Sequence, residues 1–201
     1  MDDNFFDFVK TPDRELFMRS RTQLVQRPDY NAYSDDLRKL DSLLDEGKFD
    51  EALKYRSFNL ILSPRAQMLY AFAYAQKGLE KEENAAATIG SLIMENILLT
   101  GNGSKEQPYF VTRVEDERDV VMALGEHFAS QVLLQDEGRY MDCITAQSGK
   151  NIYFDITDCY KSMQKSSLDD FLEQLEKEGG QEKGSSQASE KKWWQFGNKA
   201  V

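Results

Sequence analysis

The residue types that most often perform chemistry are scarce in this chain. It has one histidine, His127, and two cysteines, Cys143 and Cys159. A cysteine nucleophile needs a histidine within hydrogen-bonding distance and a third group that orients the histidine. Paired strands would bring His127 near Cys143, but the chain has no second histidine and no recognisable nucleophile motif. We therefore expect Cys143 to be a buried structural residue and His127 to have no catalytic role.

Metal and phosphate sites are not predicted either. The cysteines and His127 lack the spacing of a zinc site, and no calcium-loop pattern occurs. The acidic run at residues 115–117 fits the solvated first turn of a helix, where negative charge is favourable. Gly101, Gly103 and Ser104 could belong to a phosphate loop, but a helix precedes them and a strand follows, which is the wrong order. We expect a turn there, and no metal or other cofactor.

The C-terminal residues differ in composition from the rest of the chain. Residues 178–190 are rich in glycine, serine and charge, which is typical of a flexible linker. The basic aromatic tail that follows contains Lys191, Lys192, Trp193, Trp194 and Phe196. Such a segment can dock in a groove of a protein partner, lie at a membrane interface, or pack on its own acidic chain. We predict that these five residues bind a protein partner, with a membrane surface as an alternative.

Length and charge narrow the class of protein. A chain of 201 residues forms one domain or two small ones with a buried core. The net charge of −10 argues against a nucleic-acid-binding protein, which would need a basic face. The N-terminus lacks the regions of a secretory signal, and no apolar run reaches the roughly 20 residues of a membrane span. We expect a cytoplasmic protein.

The spacing of apolar residues predicts an α+β fold. Helical spacing occurs over most of residues 10–99, where Gly47 and Gly78 end two helices and residues 49–62 form the return helix of a hairpin. Alternating apolar residues in the second half predict short strands, including one at 109–114. The predicted architecture is an N-terminal antiparallel, repeat-like helical region followed by a small, mostly antiparallel β-sheet with one or two helices.

These patterns divide the chain into five segments. They are a helical region at 1–104, an α+β region packed on it at 105–163, a C-terminal helix at 164–177, the linker at 178–190 and the tail at 191–201. Aromatic residues of the first two segments are expected to fill the core between helices and sheet, and they are also available to line a pocket there.

The predicted helical hairpin resembles a tetratricopeptide repeat. Gly47, Phe49, Ala52 and Pro64 fall at the spacing of the Gly, Tyr, Ala and Pro of that repeat. Arg56 and Asn59 depart from the pattern, since the repeat has aromatic and small residues at those places. The resemblance implies a scaffold that holds a partner.

Four segments carry a wider resemblance, which covers most of residues 10–163. They are the run from Arg65 to Tyr74, Ile97–Gly103, Pro108–Val111 and Tyr153–Ile156, the last of which is followed by Cys159 and Tyr160. Together they resemble a bacterial family catalogued as domain of unknown function 4919, whose members have a helical front half and a Gly-x-Gly junction into a β region. No activity is attached to that family, so the resemblance implies architecture alone. The stretch Leu16–Arg19 departs from the family pattern, and the tail lies outside it.

The function predicted from these observations is that of a non-catalytic intracellular interaction or adaptor protein, which uses the helical hairpin surface and the tail. One alternative is an enzyme with a pocket at the junction of helices and sheet. Another is a peripheral membrane protein anchored through the tail. The sequence shows no acid–base or metal constellation, which favours the first hypothesis over the enzyme.

Overall fold

In the computed structural model helices come first and a four-stranded sheet follows, which confirms the predicted α+β fold. The structure describes residues 3–165, 167 and 168, and those up to residue 165 lie in one compact unit. Three predicted segments lie wholly or mostly outside the described residues: the helix at 164–177, the linker at 178–190 and the tail at 191–201.

The helices of the described region are mostly short. They are α1 (Asp3–Lys10), α2 (Arg14–Val25), α3 (Asp36–Asp45), α4 (Phe49–Lys54), a 3-10 helix (Phe58–Leu60), α5 (Pro64–Gln76), α6 (Glu80–Leu98), α7 (Asp116–Ala123) and α8 (157–165). Gly47 and Gly78 follow α3 and α5 with φ of 70° and 68°, the left-handed conformation that ends helices and favours glycine. Both predicted helix ends are therefore confirmed.

The return helix predicted for residues 49–62 is wrong in its second half. α4 ends at Lys54, and Tyr55 takes an extended backbone with φ −68° and ψ 119°. The side chains of Tyr55, Ser57 and Asn59 all donate hydrogen bonds to the carboxylate of Asp36. On an α-helix, residues two positions apart point away from each other. One carboxylate could not bind Tyr55 and Ser57 together on a helix, so the chain leaves the helix.

The sheet is mixed but mostly antiparallel, as predicted. Its spatial order is β1-β4-β3-β2. The β1–β4 pair is parallel, and the β4–β3 and β3–β2 pairs are antiparallel. The strands are β1 (Tyr109–Phe110), β2 (Phe128–Asp136), β3 (Arg139–Ala146) and β4 (Asn151–Asp155).

The strand predicted at residues 109–114 is shorter than expected, because β1 ends at Phe110. Side chains bind the backbone that would otherwise continue the ladder. Nη2 of Arg21 donates to the carbonyl of Val111 at 3.3 Å, and the hydroxyl of Tyr30 donates to the carbonyl of Thr112 at 2.8 Å. Helix α2 and the segment after it therefore hold this stretch in place of a neighbouring strand.

Two apolar clusters form the core. The larger joins α1, α2, α6 and α7 to the sheet, with Phe8, Phe17, Val120 and Phe154 fully buried or nearly so. The smaller lies among α3, α4, α5 and α6 around Leu40. The helical region therefore has a core of its own beside the one that it shares with the sheet.

Candidate functional site

The described residues contain none of the five predicted to bind a partner. Lys191, Lys192, Trp193, Trp194 and Phe196 all lie outside the part of the chain that the structure describes. Strand pairing does not place His127 opposite Cys143. Cys143 of β3 pairs with Val132 of β2, whereas His127 precedes that strand. Cys143 is buried, as the sequence predicts.

A cavity of about 460 Å³ lies among the helices. Apolar and aromatic side chains of α1, the 3-10 helix, α5 and α6 form most of its surface, including Phe5, Phe58, Leu60, Tyr70, Tyr74 and Ile89. Its charged lining residues are Arg56 and Glu82. No strand contributes to the lining, so the cavity differs from the pocket considered for the junction of helices and sheet.

Two arginines stack on aromatic rings at the edge of the cavity. Cζ of Arg56 lies 4.5 Å from the centroid of the Tyr70 ring, and Cζ of Arg27 lies 3.6 Å from that of Phe58. Arg56 Nη1 and the Tyr70 hydroxyl both donate to the carbonyl of Tyr55, at 2.9 and 2.8 Å. These contacts fix Arg56 and Tyr70 relative to each other before anything binds.

The wall that carries Arg56 and Phe58 is held by Asp36. One oxygen of the Asp36 carboxylate accepts hydrogen bonds from Ser57 Oγ at 2.6 Å and Asn59 Nδ2 at 2.9 Å, and the other accepts from the Tyr55 hydroxyl. Ser34 Oγ donates to the same carboxylate at 2.8 Å. Residues 55–59 therefore arch over the start of α3, with the side chains between the anchored ones directed to the cavity.

The protonation of Asp36 depends on these donors. Partial burial opposes its ionisation, but the hydrogen bonds from Ser57, Tyr55, Asn59 and Ser34 outweigh burial and lower its pKa to about 2. Because the folded pKa lies below the ordinary value of 3.8, ionised Asp36 stabilises the fold above that pH and loses this effect as the pH falls towards 2.

The residues that line the cavity form a surface suited to binding. Of the described residues that line it, none is a histidine or a cysteine, and the carboxylate of Glu82 has no second carboxylate beside it for acid–base work. Arg56 has no carboxylate within 4 Å among the residues whose positions are described. The site therefore offers apolar surface together with one unpaired guanidinium.

The acidic run at residues 115–117 is not the solvated helix start that the sequence predicts. Asp116 is fully buried and Glu117 is 1% exposed. Oδ1 of Asp116 accepts a hydrogen bond at 2.7 Å from Ser63, the N-cap residue of α5. Gln131 Nε2 of β2 donates to Glu117 at 3.2 Å and to Asp142 of β3 at 2.6 Å. The run therefore ties α7 to both α5 and the sheet.

Burial changes the protonation of these acids. It raises the pKa of Glu117 to about 10, to which the nearby Asp142 carboxylate contributes. It raises the pKa of Asp116 to about 7, against the hydrogen bond from Ser63, and it also raises the pKa of Asp142. Glu117 therefore keeps its proton at neutral pH. Neither Asp116 nor Glu117 lines the cavity. Their role is structural, in joining α7 to its neighbours.

The described residues contain neither a metal site nor a membrane-spanning helix. Within the described ranges, no group of three histidine, cysteine, aspartate or glutamate side chains is placed to hold a metal ion. Over the same residues, every helix is too short or too polar to cross a membrane. The Gly-x-Gly junction is a turn, as expected, since the amides of Asn102 and Gly103 both donate to the carbonyl of Gln107.

One wall of the cavity was not predicted from the sequence. Phe5 belongs to α1, which the apolar pattern of residues 10–99 does not include. The signal was present nevertheless, because Phe5, Phe8 and Val9 stand at the i, i+3, i+4 spacing of a helix face. Arg56 stood out in the sequence only as a departure from the repeat pattern.

The chain matches the sequence model of one family. The match covers residues 24–165, well over half of the 201 residues, and the family is described as a domain of unknown function (DUF4919). The chain belongs to the DUF4919 family. This confirms the family resemblance seen in the sequence. No match was found among curated proteins or among solved structures. The DUF4919 region includes all the cavity walls except α1.

Removal of the Asp36 carboxylate should destabilise the DUF4919 domain strongly. We expect Asp36→Ala to lower the free energy of unfolding by on the order of 3 kcal/mol, because several partly buried donors lose a charged acceptor. Urea-induced unfolding followed by circular dichroism measures the change. The control is Asp35→Ala, which removes an exposed carboxylate paired with Arg38 and should change stability by less than about 0.5 kcal/mol. Equal effects of the two variants would contradict the role of Asp36.

The buried acids should make the DUF4919 domain less stable at high pH. The folded pKa values of Glu117 and Asp116 lie above their ordinary values of 4.5 and 3.8, so their stabilisation is complete below about pH 4 and is lost as the pH rises through 7 towards 10. We expect the melting temperature to fall between pH 5.5 and 8.5. Glu117→Gln, which keeps the hydrogen bonds without the titration, should reduce that fall.

Glu95→Gln is the matched control for the pH experiment. Glu95 is exposed on α6, so its replacement should leave the pH dependence of the melting temperature unchanged. A Glu117→Gln variant with the same pH dependence as the unmodified chain would show that Glu117 does not titrate as described.

Proposed function

We propose that the protein is a non-catalytic interaction protein that binds an apolar segment of a protein partner in the cavity among its helices. The observation that carries this proposal is the cavity of about 460 Å³ with aromatic walls and a fixed cation at its edge. Concave, mostly apolar sites with a few placed polar groups are the usual form of a binding site. The lack of a catalytic constellation among its described lining residues favours binding over catalysis.

Arg56 determines the chemistry expected of the occupant. Its guanidinium stacks on Tyr70 and has no carboxylate partner among the described residues. An acidic residue of the partner would complete the ion pair, and the planar fork of arginine suits two hydrogen bonds to one carboxylate. The apolar surface next to Arg56 then receives a large side chain of the same segment. The occupant is a peptide segment in which a large apolar residue stands next to an acidic one.

We propose, from the composition of the tail, that the tail makes a second contact with the partner. Trp193, Trp194 and Phe196 are large aromatic residues, and each contributes about 1.5–3 kcal/mol when it is buried, before the cost of ordering the segment. Lys191 and Lys192 add positive charge that suits an acidic surface on the partner. Anionic membranes are the alternative target for the same residues.

The cytoplasm is the compartment that we propose. Cys143 and Cys159 are both buried and free, with no disulfide between them. Unpaired thiols are usual in reducing compartments, whereas secreted proteins tend to pair theirs.

Selection of peptides on the immobilised full chain tests the cavity. A random phage-displayed library should yield peptides with an aromatic or large aliphatic residue beside an acidic one. A labelled synthetic peptide of the selected sequence is then the probe for fluorescence anisotropy. Ala85→Trp places an indole in the cavity and should raise Kd about tenfold to a hundredfold, because it excludes one large side chain of the peptide.

The control for the cavity is Asn84→Trp, which adds the same side chain at the preceding exposed position outside the cavity lining. Its Kd should stay within about twofold of that of the unmodified chain, since a surface substitution away from a site changes little. Failure to select any peptide, or equal Kd values for the two tryptophan variants, would refute the proposed site.

Tryptophan fluorescence tests the tail. Both tryptophans of the chain lie there, so the emission of the full chain reports on the tail alone. We expect red-shifted emission that a soluble quencher reaches, with no change when anionic vesicles are added. A blue shift with vesicles, reversed by salt, would favour the membrane. Blue-shifted emission that is protected from the quencher in the isolated chain would contradict a tail that is available to partners.

A further inference from the structure

Strand β2 lies at the edge of the sheet that the described residues form. In the order β1-β4-β3-β2 it pairs with β3 alone, and no strand of the described residues lies along its other edge. It is nine residues long, and most of those residues are exposed. Every second backbone N–H and C=O group of such a strand points outward, ready to pair with another strand.

The usual protections of an edge strand are nearly absent from β2. Proteins guard exposed edges with lysine, proline, bulges or a covering segment. β2 contains no lysine, arginine or proline. Its one irregularity lies between Phe128 and Ser130, so the ladder is regular from Ser130 to Asp136. Among the described residues, nothing pairs with the outer edge of the regular stretch from Ser130 to Asp136, and Asp136 is the one charged residue of that stretch.

Apolar side chains are exposed on both faces of this edge. Leu133 pairs with Asp142 and is 49% exposed on one face, and Val132 pairs with Cys143 and is 56% exposed on the other. A helix or a ligand placed against one face would cover only one of these residues. A strand laid along the edge flanks both faces, since its side chains alternate in the same way.

Two copies of β2 are complementary in sequence when they pair antiparallel with Leu133 on the two-fold axis. The stretch reads Ser-Gln-Val-Leu-Leu-Gln-Asp from Ser130 to Asp136. Two-fold symmetry about the central leucine sets Gln131 opposite Gln135 and Val132 opposite Leu134. Leucine then meets leucine on the axis and Val132 meets Leu134 on either side of it, which are favourable apolar cross-strand pairs. A shift of the axis to Val132 would instead set Gln131 opposite Leu133 and lose the match.

We propose that β2 is the interface of a symmetrical homodimer, in which two copies of the chain pair antiparallel about Leu133. The two four-stranded sheets then join as one sheet of eight strands. The interface is isologous, as expected for a two-fold dimer. None of its residues lines the cavity among the helices, so this proposal goes beyond the proposed function and does not depend on it.

The charges of β2 do not oppose this arrangement. Asp136 is the one charged residue of the strand, and its carboxylate is paired with Lys105 Nζ at 3.0 Å. In the dimer it lies opposite Ser130 of the partner subunit, about 20 Å from the other Asp136. No like charges of the two strands therefore face each other across the interface.

Sedimentation of the full chain over a range of concentrations tests the proposal. The unmodified chain should form dimers. Leu133→Lys sets two ammonium groups against each other on the two-fold axis and should raise the dimer dissociation constant at least about tenfold. The matched control is Met68→Lys, which changes an equally exposed apolar residue on α5 and should leave the constant unchanged. A monomeric unmodified chain, or dimers that dissociate in Met68→Lys and persist in Leu133→Lys, would overturn the proposal.

Cysteine cross-linking tests the register without depending on a destabilising variant. Directly opposite residues of an antiparallel pair have Cα atoms about 4.5–5.5 Å apart, within the range of a disulfide. Leu133→Cys should therefore form covalent dimers under oxidised glutathione. Gln135→Cys should not, because its two copies lie about 13 Å apart. No cross-link at Leu133→Cys, or an equal yield for Gln135→Cys, would refute this register.

Discussion

The carboxylate of Asp36 is the point on which the helical region depends. Four side-chain donors from two separate segments converge on it, and the fully buried guanidinium of Arg113 binds both Oγ and the carbonyl of Ser34, one of those donors. Hydrogen bonds around this carboxylate therefore connect the start of α3, the arch at residues 55–59 and the segment that leads into α7. The shape of the cavity follows from this, because the arch carries Arg56 and Phe58 in its wall.

Glu117 of α7 is a buried acid in the opposite protonation state to Asp36. Asp36 lies among hydroxyl and amide donors, so it remains ionised although it is partly buried. Glu117 is buried beside another carboxyl, with one amide between them, so it keeps its proton. Both arrangements join elements that are distant in sequence, since charged or protonated carboxyls that are withdrawn from water need partners. The domain thus uses one residue class in two protonation states to connect its helices and its sheet.

Local patterns predicted the elements well and their long-range contacts poorly. The positions of Gly47 and Gly78 identified helix ends, and alternating apolar residues in the second half of the chain indicated strands, without knowledge of the fold. The end of α4 and the short β1 could not be predicted, because they are decided by Asp36, Arg21 and Tyr30 across distances that a local pattern does not contain. For the same reason the run at residues 115–117 looked solvated, since Ser63 and Gln131 cover it from other elements. The sequence shows that the aromatic residues of the cavity are present. It does not show that they meet at one place in the fold.

The cavity has walls of two different origins. Its α5, α6 and 3-10 sides fall within residues 24–165, the part of the chain shared with the DUF4919 family, whereas Phe5 of α1 comes from the segment before it. A relative with the same domain and a different leading segment would present a cavity of altered depth and polarity. Evolution can therefore change what the cavity accepts by exchanging a short N-terminal helix, while the network around Asp36 and the core of the domain stay as they are.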